Sequence, residues 1–203
     1  MMPSRRTALL AAAILAIAAA LGAYVLIATG PGRNGPAATA TGIADIGGPL
    51  TLTGTDGRTV TEADLRGRPT AIFFGFTFCP DVCPTTLAEL SGLIEALGDT
   101  ADRLNFVFVS VDWERDRPAT MASYLSAFDP RIRGLTGTKA QIEQAAKAYR
   151  VYYERVPTDD GGYTIDHTAS VFLMDAEGRF TGTLAYGEDP AVMLQKLRRL
   201  AGA

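Results

Sequence analysis

Cys79 and Cys83 are the only two cysteines in the chain, and they lie within TAIFFGFTFCPDVCPTTLAEL, residues 70–90. Residues 71–76 form an apolar run rich in aromatic and branched side chains, bounded by Pro69 and by Cys79-Pro80, and this reads as a buried strand. Pro84 suits the first position of a helix, and Leu87, Leu90, Leu93, Ile94 and Leu97 then recur on one helical face. Both sulfurs are therefore expected in the turn between a strand and a helix N-terminus, where unpaired N–H groups and the helix dipole favour thiolate over thiol. Four residues on a near-helical turn put the two Cα atoms about 6 Å apart, close enough for a disulfide to form. The same pair can chelate one soft metal ion. A plain stabilising disulfide is the rival reading, but closing so short a loop removes little unfolded-state entropy.

His167 is the only histidine. A lone histidine is ordinarily a polar surface or core residue. Beside a reactive cysteine pair it would complete a set of two thiolates and an imidazole, which suits copper and also a zinc site with one open position. Spacing does not choose between these metals. Asp166 either orients the imidazole or is an ordinary turn residue. Met121, Met174 and Met193 are soft donors at helical or strand positions and read as core packing.

The elements that would position these groups follow from periodicity. Residues 47–68 alternate apolar and polar around Asp56-Gly57, a hairpin signal. Residues 104–111 (LNFVFVSV) read as a second buried strand, closed by the charged loop Asp112-Trp113-Glu114-Arg115-Asp116. Two buried strands joined by a helix make a parallel β-α-β unit. Residues 118–128 and 138–149 read as helices, with a short strand over 132–135 between them and another strand over 151–156. A polar, glycine-rich loop over 157–162 follows, then 163–167 leading to the histidine. A strand pair over 169–174 and 179–184 precedes an amphipathic helix capped by Asp189 and running through Leu200. The class is an α/β sandwich.

Before all this, Arg5 and Arg6 precede the uncharged stretch 7–28, about 33 Å long as a helix and enough to cross a bilayer. The arginines hold the N-terminus in the cytoplasm and leave the remainder outside. Small residues around Ala16, Ala18 and Ala20 offer a rival reading as a cleaved signal peptide, but the apolar run exceeds a usual signal core. The expected organisation is a cytoplasmic tip and anchor over 1–28, a flexible linker over 29–42 and a folded domain over 43–203. Setting aside Arg5, Arg6 and Arg33 from the 19 basic residues leaves 16 against 22 acidic ones, a net charge of −6. That balance argues against binding nucleic acid or an anionic membrane surface through general charge.

FGFTFCPDVCPTTLAEL, the VSVD strand end, FDPRIRGLTGT and YTIDHTASVFLMDAEGRF together resemble the Sco (SenC) family of copper-binding assembly proteins, over residues 46–200. The resemblance implies a thioredoxin-like fold: a central mixed sheet flanked by helices, with an N-terminal β-hairpin and an inserted loop before the last strand pair. It implies copper, as Cu(I) and Cu(II), held by Cys79, Cys83 and His167. It also implies a membrane-anchored domain facing the periplasm or the mitochondrial intermembrane space; the expected location is the inner membrane, single-pass, with the C-terminal domain in the periplasm. The function implied is copper supply to the dinuclear copper site of cytochrome c oxidase subunit II, with other periplasmic copper chaperones and thiol reductants as further partners. The alternative is a thiol-disulfide oxidoreductase that keeps the cysteines of that site reduced, in which Cys79 and Cys83 would be catalytic. Such enzymes usually carry C-x-x-C; the extra residue here widens the bite for a metal. A related thioredoxin-like peroxidase is disfavoured, because the threonine expected three residues before the cysteine is Phe76, and Thr77 is one place late. The family commonly has proline after the aspartate of V-D-P-E-R-D, where this chain has Trp113. That residue reads as a half-exposed loop aromatic, with a cover for the metal or a partner-docking side chain as the alternatives.

Overall fold

The structure is a computed structural model that describes residues 46–202 together with Ile17, Ala19, Ala20 and Leu21. Those four are helical and exposed. The expected anchor over 7–28 and linker over 29–42 otherwise lie outside the described residues. Among the described residues no helix is long and apolar enough to cross a membrane. The chain divides into two units, residues 1–42 and 43–203, and every element below belongs to the second.

The buried runs become strands because each is apolar on both faces, as the centre of a covered sheet requires. β3 (Thr70–Gly75) and β4 (Asn105–Ser110) are buried at every position and pair in parallel, Thr70 opposite Asn105 and Gly75 opposite Ser110. β5 (Ile132–Thr136) continues the parallel ladder beyond β4. β1 (Thr51–Gly54) and β2 (Thr59–Thr61) form the expected hairpin, with Leu52 opposite Val60, and β1 adds antiparallel to β5. On the other side β8 (Val171–Met174) runs antiparallel to β3, and β9 (Phe180–Leu184) pairs with β8. The result is a seven-stranded mixed sheet in the order β2-β1-β5-β4-β3-β8-β9. Its core holds Phe73, Phe74, Phe76, Phe106 and Phe108, with Met121, Met174 and Met193 buried as expected.

Five α-helices accompany the sheet among the described residues: α1 (Glu62–Leu65), α2 (Val82–Leu97), α3 (Pro118–Leu125), α4 (Lys139–Ala148) and α5 (Pro190–Leu200). α5 starts where the Asp189 side chain accepts from the N–H of Ala191, and it packs against α2. Thr138 caps α4 by accepting from the N–H of Gln141. The single turn α1 has no apolar period to announce it. It is held by a reciprocal cap, in which the Asp64 carboxylate accepts from the N–H and hydroxyl of Thr61.

Two expectations change. α2 begins at Val82, two residues before Pro84, so Cys83 sits inside its first turn and only Cys79 lies in the preceding loop. Proline is tolerated there because the first N–H groups of a helix have no intrahelical acceptor, and the first i→i−4 bond runs from Thr85 N–H to the Asp81 carbonyl. The expected loop before the last strand pair is also more ordered. β6 (Tyr153–Pro157) and β7 (Tyr163–His167) form a separate two-stranded antiparallel ladder, Tyr153 opposite His167 and Pro157 opposite Tyr163. Its tip is tight: Asp160 accepts from the Thr158 hydroxyl at 2.5 Å and from the Gly162 N–H at 3.1 Å.

Candidate metal centre

The site forms at the end of β3, where the chain leaves the sheet and turns into α2. Cys79 closes the turn with an N–H bond to the Phe76 carbonyl (3.3 Å), and it is half-buried, whereas Cys83 is completely buried. Both are free thiols. The backbone N–H of Cys83, one of the unpaired donors at the start of α2, points to Cys79 Sγ at 3.4 Å. The Cys83 thiol hydrogen-bonds Cys79 and holds the Cys79 thiol far below the ordinary cysteine range, with His167 and nearby N–H groups adding to the effect. Cys83 moves the opposite way, raised by that same bond and by its burial. The pair therefore holds its first negative charge on the outer sulfur.

Gly75 makes the close approach of Cys83 to β3 feasible. A β-carbon at Gly75 would lie 2.6 Å from Cys83 Sγ and 2.9 Å from the Phe108 ring. No larger residue fits without shifting one of them.

His167 comes from the end of β7 and completes the cluster. Its Nε2 lies 3.3 Å from Cys83 Sγ, and one donor atom from each of Cys79, Cys83 and His167 lies within 4.8 Å of the others. Nδ1–H donates to the Thr168 carbonyl at 3.0 Å, which leaves Nε2 as the ring nitrogen facing the sulfurs. The rings of Phe73 and Phe76 stand edge-on to the imidazole, with centroids 6.0 and 5.8 Å away. Asp166 is exposed, and Nδ1 bonds the Thr168 carbonyl.

The loop after β4 holds residues whose roles the sequence reading missed. Asp112 and Asp116 are 0% and 1% exposed despite standing in a charged run. Asp116 accepts from the Thr77 N–H (2.9 Å), the Thr77 hydroxyl (2.5 Å) and the Ser110 hydroxyl (2.5 Å), and so ties the cysteine loop to the end of β4. Burial raises its carboxyl pKa despite these bonds. Asp112 accepts from Arg115 Nε at 2.5 Å and from the Tyr163 hydroxyl at 2.9 Å. Trp113 is half-buried, edge-on to Tyr153 at 6.2 Å and beneath the Arg155 guanidinium at 4.5 Å, so it packs on the hairpin. The available signal was an aspartate directly after an apolar strand, VSVD, since a carboxylate at such a boundary is buried only with dedicated donors.

Two soft sulfurs and one imidazole with Nε2 directed toward them suit a soft or borderline transition metal, and the donor set fits copper. The family model described as SCO1/SenC matches residues 38–202. The chain belongs to the SCO1/SenC family. It is 40% identical over 149 residues to Protein SCO1 homolog 1, mitochondrial, of Arabidopsis thaliana, covering 73% of this chain and 44% of that protein. With Protein SCO1 homolog, mitochondrial, of Homo sapiens it shares 41% identity over 138 residues, covering 66% and 46% respectively. The chain thus spans somewhat under half the length of these two relatives. Among solved structures, Bradyrhizobium japonicum ScoI with copper bound matches with a TM-score of 0.72 and 51% identity, over 76% of this chain and 99% of that one. The expected thioredoxin-like mixed α/β fold holds across this part of the family.

Proposed function

We propose that this protein carries copper. Cys79, Cys83 and His167 hold one ion, and the cargo passes by ligand exchange to another thiolate site, the dinuclear copper centre of cytochrome c oxidase subunit II. The observation that carries this reading is the convergence of three donors, one from each of three elements, with Nδ1 of the histidine occupied by Thr168 and Nε2 turned toward Cys83. The copper-bound relative from Bradyrhizobium japonicum supports the choice of metal. Thiolates bind Cu(I) tightly, yet a second pair of thiolates can replace them one bond at a time. Cu(II) gains more from the imidazole. The residues 7–28 would anchor the chain in the inner membrane with the site in the periplasm, and the full-length protein is then expected to stay in membranes after a high-salt wash.

Competition titrations against chelators test the metal site. Wild type is expected to bind one copper only when its thiols are reduced, and Cys79→Ser or Cys83→Ser to abolish binding. His167→Ala is expected to keep Cu(I) and lose most Cu(II) together with the sulfur-to-copper absorption. Equal copper binding by the pre-oxidised protein would sink the reading.

A second reading rests on the unequal thiols. In a thiol-disulfide reductase, Cys79 thiolate would attack a partner disulfide, expelling one partner thiolate and forming a mixed disulfide. Cys83 would then attack the Cys79 sulfur, releasing the second partner thiol and leaving a Cys79–Cys83 disulfide. Copper content and free thiols measured on the same purified protein distinguish the two: metal-free protein that stoichiometrically reduces the subunit II disulfide favours the second.

A further inference from the structure

We propose that Arg115 is a positioning residue that latches the histidine-bearing hairpin to the cysteine loop, holding His167 at the site while the thiols are held by other bonds. The proposal rests on the copper reading above. Arg115 sits in the loop after β4, and its guanidinium touches both halves of the site. Nη1 donates to the backbone carbonyl of Tyr163 at 3.0 Å, and the guanidinium carbon lies 3.8 Å from the centroid of the Tyr163 ring. The same carbon lies 4.7 Å from the ring of Phe78, the residue before Cys79, and 5.8 Å from the ring of Phe76. Nε is bound to Asp112, which is fully buried and also accepts from the Tyr163 hydroxyl. Nη2 is buried without a hydrogen-bond partner, so ring faces surround a donor that no oxygen receives.

Tyr163 opens β7 and His167 ends it, so whatever fixes Tyr163 fixes the strand that delivers the imidazole. The hairpin needs such a fixture. β6 and β7 pair with each other in their own sheet and share no ladder with the seven-stranded one. Its seat is therefore set by side chains: this latch, the Arg155–Glu114 ion pair at 2.9 Å, Trp113 against Tyr153, buried Ile165, and the Phe73 and Phe76 rings against His167. The cysteines are held separately, through Asp116 on Thr77 and through the start of α2. Arginine suits the task because its planar fork donates in two directions and stacks on rings at once, which lysine cannot do.

The test uses the full-length reduced chain as wild type, Arg115→Gln, Arg115→Lys, Tyr163→Phe and, as a destabilised control far from the site, Asp129→Asn. Hydrogen exchange of the metal-free proteins is read at the amides of residues 164–168 and of β3 and β4; Cu(I) and Cu(II) affinities are then measured by chelator competition. Both Arg115 variants are expected to speed exchange in β7 while leaving β3 and β4 as in wild type. They are also expected to weaken Cu(II) binding about tenfold more than Cu(I), within the range that groups supporting a ligand carry. Tyr163→Phe, which keeps the ring and loses only the bond to Asp112, should shift both readouts less in the same direction, and Asp129→Asn should alter neither selectively. Uniformly faster exchange across all three strands, equal losses for both oxidation states, or full rescue by lysine would overturn the latch. A wild type that binds no copper would overturn the copper reading instead, and the exchange data would still decide the latch.

Discussion

At the scale of single residues, the two cysteines are chemically unequal although they are only four positions apart. Cys79 is half-exposed, receives the Cys83 N–H and has its thiol pKa lowered, whereas Cys83 is buried and raised. Alkylation by iodoacetamide should therefore label Cys79 alone in the reduced metal-free protein, at a rate nearly constant between pH 8 and pH 6. An ordinary thiol would slow about tenfold per pH unit over that range, because thiolate is the nucleophile. Mass mapping of the labelled peptide checks this; equal labelling of Cys83 would contradict the assignment. Gly75 gives a second prediction. In Gly75→Ala the new methyl meets Cys83 Sγ and the Phe108 ring, and overpacking of this kind costs about 1–3 kcal/mol. Thermal unfolding should show the loss, and copper affinity should fall with it because Cys83 is the atom displaced.

At the scale of elements, short polar devices set the strand ends and can be tested apart from the site. Between α3 and β5, Asp129 accepts from the Arg131 N–H and Nε at 2.9 Å and from Nη2 at 2.8 Å, and the Arg131 guanidinium beside it lowers the Asp129 pKa. A carboxyl whose folded pKa is depressed stabilises the fold above its unfolded pKa, near 3.9, and that stability is lost as pH falls through the folded value. Asp129→Asn should thus cost about 0.5–1.5 kcal/mol at pH 7. The difference from wild type should begin to narrow below about pH 4, and denaturant titrations at pH 7 and pH 3 read the two values. A cost that persists unchanged at pH 3 would show that packing, not charge, is involved.

At the scale of the whole molecule, three separately anchored pieces meet at one point. The cysteine loop hangs from Asp116, α2 packs on α5, and the hairpin stands in its own ladder. A bound ion would join all three. Copper at a free concentration about a hundred times its dissociation constant should then add about 2.7 kcal/mol of stability, provided the unfolded chain binds it much more weakly. The unfolding midpoint should rise accordingly, return on chelation, and rise less in His167→Ala, where the hairpin is no longer joined. A midpoint indifferent to copper would contradict the joining.

The sequence by itself determined most of the strands and helices, because an apolar run, a helical period or a cap such as Asp189 acts within a few residues; α1 and β7 carry no such signal and emerged only in the fold. It also determined that Cys79 and Cys83 would meet, since a separation of four residues at a strand-to-helix turn leaves few alternatives. It did not determine that α2 would start at Val82, because Pro84 is compatible with several places in a first turn. The tertiary structure decided the rest. His167 reaches Cys83 across 84 residues through the pairing of β6 with β7 and the placing of β8 beside β3. Asp112 and Asp116 look like solvated charges in the sequence and are buried, because the donors that make their burial tolerable come from Thr77, Ser110, Arg115 and Tyr163. Those donors belong to segments remote in the chain as well as adjacent to it, and no local pattern records which remote segment will supply a hydrogen bond.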